Sequence, residues 1–528
     1  AGLVVRAAVG LWGYSGANTP PMFGDFEAQR HWMEITTSLP MGDWYFNGTD
    51  NDLKYWGLDY PPLTAFVSLG FGQVAGGVVP ALVELHSSRG HESVEGKMFM
   101  RATVLISDIM ILFPALVVLS RVLSATKTQC ASVLTVLLAA LFAPALILID
   151  HGHFQYNGIS IGLTLLATAA ILHEYNGLGS VLFSLSLNFK QMSLYHSPVF
   201  FVALLRKCIQ RGYSGGGGRG RGKNISFRLI PCLVYLAYIG GTVIATFVLL
   251  WGAFCFAPSA EDPARSCSSI VLQIVTRIFP FSRGIFEDKV SNLWYLGSVV
   301  YDYRTLVPQE VLVRGSLALT VTLLVPVMFS LGKHEASSVR FLLSLVISAL
   351  AFFLASFQVH EKSLLLALVP ASLLVGHRPL DMVWFQLTGC MSLHPLLIRD
   401  GQVVPYWLCC TFYSLLCFVL LHQSTSSPQR IAPSDRGSLF EKCFSNVRKL
   451  YFLLSLPGVA VLHAAELWYP PPSHLPDLYP ALFSLFGCCS LLWYYVYFVH
   501  WLLSLPADDH EGDAVCAHII GAKAEKSE

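Results

Sequence analysis

Residues 229–257 run without one charged side chain, and residues 103–120 carry a single acid, Asp108. Each run reaches the roughly 20 residues that a helix needs to cross a hydrocarbon core of about 30 Å. In lipid the backbone must satisfy its own hydrogen bonds, so a spanning segment is a helix or a strand of a closed barrel. These runs show no alternation of period two, which leaves the helix. Composition extends the conclusion to the whole chain: 54% of residues are hydrophobic and 13% are charged, where a soluble domain carries about 25% charge. The expected fold is an all-α polytopic membrane protein. A net charge of +1 gives no sign of a nucleic-acid partner.

Lys and Arg collect on the cytoplasmic side of short loops. Arg206, Lys207, Arg211, Arg219, Arg221, Lys223 and Arg228 mark residues 206–228 as cytoplasmic, around a low-complexity GGGGRGRG insert that has no need to pack. Arg430, Arg436, Lys442, Arg448 and Lys449 mark a second basic loop at 423–449, with smaller ones at 121–128 and 332–340. Spans placed between these anchors number about fourteen, several of them shorter than a full crossing. The segments divide as 1–16, the second half of a first spanning helix; 17–98, a long loop on the opposite face; 99–376, a helical core interrupted by a loop at 258–310; 377–505, C-terminal helices; and 506–528, a polar cytoplasmic tail. The opening residues show no signal-peptide pattern. Most of the 13 cysteines lie in apolar runs or basic loops and read as small buried hydrophobes, neither a disulfide framework nor a zinc site.

The face opposite the basic loops receives the polar, aromatic and histidine-rich motifs. In GDFEAQRHWMEIT, Asp25 suits the N-cap of a short helix. Glu27, Arg30 and Glu34 then form pairs three and four apart, and Ala28, Trp32 and Ile35 share one face. A catalytic role for Asp25 is the alternative. YWGLDYPPLTAF holds Asp59 among aromatics in a turn kept extended by the prolines, which suits either a sugar site or an interfacial aromatic belt. DHGHFQYN brings Asp150, His151, His153, Gln155 and Asn157 to the end of a span; the mixture suits hydroxyl recognition, and a lone H-x-H is a weak metal signal. QVHEK wedges His360, Glu361 and Lys362 between apolar runs, where ionisable groups are costly and mark a site by default. Lys190 in NFKQMSLYHSP, with Arg283 and Lys289 in SRGIFEDKVSN, adds cations fit for a lipid phosphate. Asn47-Gly48-Thr49 is a glycosylation sequon on that face; Asn224-Ile225-Ser226 falls on the cytoplasmic side.

In order along the chain, GDFEAQRHWMEIT, WYFN, YWGLDYPPLTA, LHSSRG, DHGHFQYN, NFKQMSLYH, FPFSRGIFEDKVSNLW and SFQVHEKS resemble the Alg6 and Alg8 family of endoplasmic reticulum glucosyltransferases, over about residues 20–365. EAQRHW and WGLDYPP lie closer to the Alg6 branch. The resemblance implies a GT-C type glycosyltransferase in the endoplasmic reticulum membrane with its active site facing the lumen. It would transfer glucose from dolichyl phosphate glucose to dolichyl-diphosphate-linked Man9GlcNAc2 in α-1,3 linkage, with no obligatory metal, cofactor or protein partner. The family's catalytic carboxylate carries over to Asp25. A β-linked donor giving an α product means inversion, which needs one base and no partner acid because dolichyl phosphate leaves as a stable anion. Donor phosphate and sugars are then assigned to His360 and Lys362 first, with Lys190, Arg283 and Lys289 behind them, and to Asp59, His153 and Gln155 for hydroxyls. Three other readings stand beside this one: the Alg8-type second glucosyltransferase acting on Glc1Man9GlcNAc2, a lipid or sugar transporter, and a non-catalytic lipid-binding subunit.

Overall fold

A computed structural model describes residues 1–124, 132–213, 227–279, 284–286, 289–424 and 439–506. The Gly-rich insert, the Asn224 sequon, Arg283 and the tail beyond residue 506 lie outside the described residues. Among those described the chain is helical, with one isolated parallel bridge between Phe286 and Val359.

Eight helices are long and apolar enough to cross a membrane: Val94–Leu123, Val133–Phe154, Leu229–Cys255, Gln309–Lys333, Ser338–Ala355, Val403–His422, Glu441–Trp468 and Leu478–Ser504. Each sits where an apolar run is expected. The shorter expected spans are helices too, among them Asn157–Leu172, Asn176–Phe189, Ser197–Tyr213 and Pro379–Ser392, of 14 to 17 residues.

Ser338–Ala355 is the axis of the main core. Ser337 caps it by accepting from the Arg340 amide, and all but one of its residues are buried. It packs between Gln309–Lys333, Leu365–Ser372 and Leu478–Ser504. Leu229–Cys255 is its opposite: a wholly apolar helix with only Cys232, Ile239, Thr246 and Phe254 buried, the pattern of a helix whose outer faces meet lipid.

Residues 17–98 fold over one end of this bundle. Helix Asp25–Ser38 packs on helix Pro62–Val78, which starts at the second proline of the YPP turn. Ala28, Trp32 and Ile35 do share a buried face. The Glu27, Arg30 and Glu34 pairs form at 2.7 and 2.8 Å. They are interior pairs rather than surface ones: all three residues are at most 3% exposed. Arg30 reaches on to the Leu82 carbonyl and the Ser88 hydroxyl, fastening the LHSSRG segment to the helix.

One cysteine expectation is overturned. Cys255 and Cys267 form a disulfide that ties the end of Leu229–Cys255 to the start of helix Cys267–Ile278. Cys255 precedes the 258–310 loop and Cys267 lies within it, 12 residues on, so the bond closes the short turn with which the loop begins. Cys208, Cys232, Cys390, Cys409, Cys417 and Cys488 are the buried thiols expected, whereas Cys443 and Cys489 are exposed.

Candidate active site

Three segments far apart in sequence meet at Asp25, and local backbone chemistry explains how each gets there. Asp25 is the first residue of its helix, with Gly24 as N-cap and no capping bond from its own side chain, so the cap reading gives way. Any side chain at Gly24 would strike Ser15, whose Oγ lies 2.5 Å from the position of a Cβ. That close approach lets the Ser15 hydroxyl accept from the Asp25 amide at 3.1 Å while the Ser15 amide donates to the His153 carbonyl at 3.0 Å.

The DHGHFQYN motif is delivered by a π-helical turn, Leu148–Phe154, a widening of the helix that recurs at functional sites. Phe154 ends it at φ +91, a conformation that costs a bulky residue on the order of 1–3 kcal/mol. The ring is held there by Phe26, Tyr156 and the guanidinium of Arg101. The chain then turns extended at Gln155, which aims the amide at Asp25. Lys362 arrives on the 3-10 turn Glu361–Leu364, positioned by the Phe286–Val359 bridge and the Gln358 amide on the Ile285 carbonyl.

Three groups converge on a single oxygen. Asp25 Oδ2 meets Lys362 Nζ at 2.5 Å and His153 Nε2 at 3.0 Å, and accepts from Gln155 Nε2. Oδ1 takes no hydrogen bond among the described residues, and the side chain stays 22% exposed. Asp25, His153 and Lys362 line a cavity of about 530 Å³ with Tyr14, Trp56 and Arg399, a size typical of small-ligand sites. Burial alone would raise the Asp25 carboxyl. The Lys362 ammonium and His153 outweigh it and hold the group well below the usual carboxylate range; Asp25 in turn holds Lys362 above the ordinary lysine value, against the pull of burial. The site therefore presents an ionised carboxylate with one oxygen tethered and the other open to the cavity.

Of the residues singled out in the sequence, Asp25, His153, Gln155, Lys190 and Lys362 form one hydrogen-bonded network. Lys190 is 3% exposed and donates to Gln155 Oε1 at 3.0 Å and Asn157 Oδ1 at 2.7 Å; it orients the amide from behind. Asp59 and His360 lie elsewhere, lining a second cavity of about 250 Å³ with Tyr195, Arg277 and Phe352. The QVHEK segment is the partition: His360 faces one cavity, Glu361 and Lys362 the other. Lys289 pairs with Asp477 at 2.9 Å. No group of three or more His, Cys, Asp or Glu among the described residues is placed to hold a metal ion.

Two residues of the site escaped the sequence reading. Arg277 donates to the carbonyls of Gly57 and Leu58 and so fixes the turn that carries Asp59. Asp400 contacts His153 Nδ1 at 2.5 Å from the far side of the ring. A signal for Asp400 exists: Arg399 and Asp400 are the only Asp, Glu, Lys or Arg residues between positions 382 and 429.

The sequence profile of the ALG6, ALG8 glycosyltransferase family matches residues 2–498. The chain is 40% identical over 505 residues to the dolichyl pyrophosphate Man9GlcNAc2 alpha-1,3-glucosyltransferase of Gallus gallus, covering 94% of each chain. It is 35% identical over 520 residues to the protein of that name in Saccharomyces cerevisiae, covering 94% of this chain and 89% of the relative. A probable enzyme of the same name in Arabidopsis thaliana is 40% identical over 509 residues, covering 95% and 88%.

Proposed function

Because the chain belongs to the ALG6, ALG8 glycosyltransferase family, we propose that it transfers the first glucose from dolichyl phosphate glucose to dolichyl-diphosphate-linked Man9GlcNAc2 in α-1,3 linkage, with Asp25 as general base. The observation that carries the mechanism is the asymmetry of the Asp25 carboxylate. Oδ2 is held by three groups and Oδ1 is open to the cavity, so a hydroxyl entering the cavity meets an oxygen fixed in direction and free to take a proton.

The mannose 3-hydroxyl gives its proton to Oδ1 as its oxygen forms the new bond to the glucose anomeric carbon. The bond from that carbon to the phosphate oxygen breaks on the opposite side, and its electron pair leaves with dolichyl phosphate. Attack and departure on opposite faces invert β to α, and the anionic leaving group needs no proton. Lys362 is the cation best placed to meet the phosphate, with His360 and Arg277 on the adjoining cavity. A phosphate that draws Lys362 away from Oδ2 also restores basicity to Asp25, which couples donor arrival to activation of the base.

We read the architecture as the GT-C type, with about fourteen crossings and residues 17–98 and 258–310 in the endoplasmic reticulum lumen. The Cys255–Cys267 disulfide supports that orientation, since such bonds persist in oxidising compartments. The test is transfer by the purified protein from dolichyl phosphate glucose to defined acceptors, followed by linkage analysis. Glucose on Man9GlcNAc2 in α-1,3 linkage is expected. Transfer only to Glc1Man9GlcNAc2 would assign the other branch, and substrate flux across liposomes without a new glycosidic bond would overturn glycosyl transfer altogether.

A further inference from the structure

Asp400 is built into the active site with more care than a loop residue requires. It follows the short helix His394–Arg399, and its chain packs between two glycines of other segments. A side chain at Gly13 would meet the Asp400 carbonyl oxygen at 2.2 Å, and one at Gly152 would meet the Gln402 amide at 2.9 Å. Gln402 donates to the Gly13 carbonyl at 2.5 Å. Arg101 clamps the same two glycines by donating to their carbonyls at 3.1 and 2.7 Å. The frame brings residue 400 directly behind the His153 ring.

Asp400 lies within electrostatic reach of the buried Arg101 guanidinium and the Lys362 ammonium, yet among the described residues its side chain hydrogen-bonds to neither. At the C-terminal end of a helix a negative charge has the unfavourable sign. The Asp400 side chain is 3% exposed, and among the described residues its only hydrogen-bond partner is His153. A buried carboxylate with a single imidazole partner is costly unless that contact serves something. His153 is equally buried and lies between two carboxylates, Asp400 at Nδ1 and Asp25 at Nε2, with Lys362 Nζ 3.2 Å from Nε2.

We propose that Asp400 is a positioning residue of glucosyl transfer: by accepting from Nδ1 it holds His153 as the doubly protonated imidazolium and fixes the plane of the ring, so that Nε2 donates to Asp25 Oδ2 and Oδ1 faces the acceptor. The partner on one imidazole nitrogen sets what the other presents. The C-terminal helices thus contribute a residue to a site whose other groups lie in the first 365 residues. The inference rests on Asp25 being the base, and it adds the residue that keeps the base aligned.

The test measures kcat, KM for donor and acceptor, and thermal unfolding for Asp400→Asn, His153→Ala, the double variant and Asp25→Asn, each in the full chain. Asp400→Asn is expected to lower kcat by about 10- to 100-fold, the size usual for removing a residue that orients a functional histidine, with both KM values and the unfolding temperature unchanged. In the His153→Ala background the same change is expected to cost nothing further, because two residues acting through one contact are not additive. If Asp25→Asn is inactive while Asp400→Asn matches wild type, or its effect persists in full without His153, the role of Asp400 is overturned and the base reading stands. If Asp25→Asn works as well as wild type, the base reading falls and this inference with it. Should Asp400→Asn not accumulate as folded protein, Asp400→Ser, smaller in the same packed corner, is judged by the same criteria.

Discussion

Arg30→Met is the perturbation whose consequences can be followed furthest from this structure. The guanidinium is 0% exposed and makes five hydrogen bonds: two to Glu27, one to Glu34, one to the Leu82 carbonyl and one to Ser88 Oγ. Methionine fills much of the volume and removes all five, leaving two carboxylates buried without their cation. Breaking a buried pair in this way costs about 3–5 kcal/mol. The lower end applies here, since Glu27 keeps the Tyr55 hydroxyl and the Gly90 amide, and Glu34 keeps His31, Ser88 and the His86 amide. A loss of about 3 kcal/mol raises the open population of the 82–90 segment roughly a hundredfold, at 1.36 kcal/mol per factor of ten. The His86 and Gly90 amides donate to Glu34 and Glu27 at 2.9 and 3.0 Å, so they report that opening. The assay is hydrogen exchange of peptides spanning residues 82–90 in detergent-solubilised protein. Exchange about a hundredfold faster, with glucose transfer falling alongside because Asp25 heads the same helix, is the expected result. Exchange within a factor of about three of wild type would refute the claim that this buried triad fastens the loop.

Three further outcomes follow from the same contacts. Lys362→Met removes the larger of the two charges that hold the Asp25 carboxyl well below the usual range and leaves His153 alone against burial; the carboxyl should rise, so the acid limb of kcat moves to higher pH, and superimposable pH profiles for variant and wild type would count against the pairing. Glu34 is held at about 2, below its ordinary 4.5, because Arg30 and His31 outweigh burial. A depressed acid stabilises fully above its unfolded value and loses that contribution as pH falls through the folded one, so thermal stability should drop between about pH 4.5 and pH 2, less so in Glu34→Gln. Finally, Cys255 and Cys267 should resist maleimide labelling until reduced and then react together; labelling of either without reductant would deny the disulfide.

The positions of the membrane helices were legible because hydropathy and length state them directly, as the runs at 103–120 and 229–257 do. The convergence of the GDFEAQRHW, DHGHFQYN, NFKQ and HEK motifs was legible from the face, opposite the basic loops, to which their positions in the sequence assign them, and the hydrogen bonds among Asp25, His153, Gln155, Lys190 and Lys362 join them. Helical spacing predicted that Glu27, Arg30 and Glu34 pair, but spacing is silent about what covers a face, and residues 82–90 bury it. His360 and Lys362 looked like one site because they are two apart. The backbone passes from an extended residue at His360 into a 3-10 turn, and the two side chains part into different cavities. Asp400 was hidden because a single acid after an apolar run looks like an ordinary interfacial residue. Its meaning depends on the approach allowed by Gly13 and Gly152, from segments far away in the chain.

Asp25→Asn keeps the size and polarity of the side chain and removes the base, while the Ser15 hydroxyl still accepts from its amide. Measured with purified donor and Man9GlcNAc2 acceptor, the variant should remain folded and bind donor, yet transfer glucose slower by at least about a hundredfold, the lower end of what a positioned base contributes. Transfer at the wild-type rate would contradict the central claim.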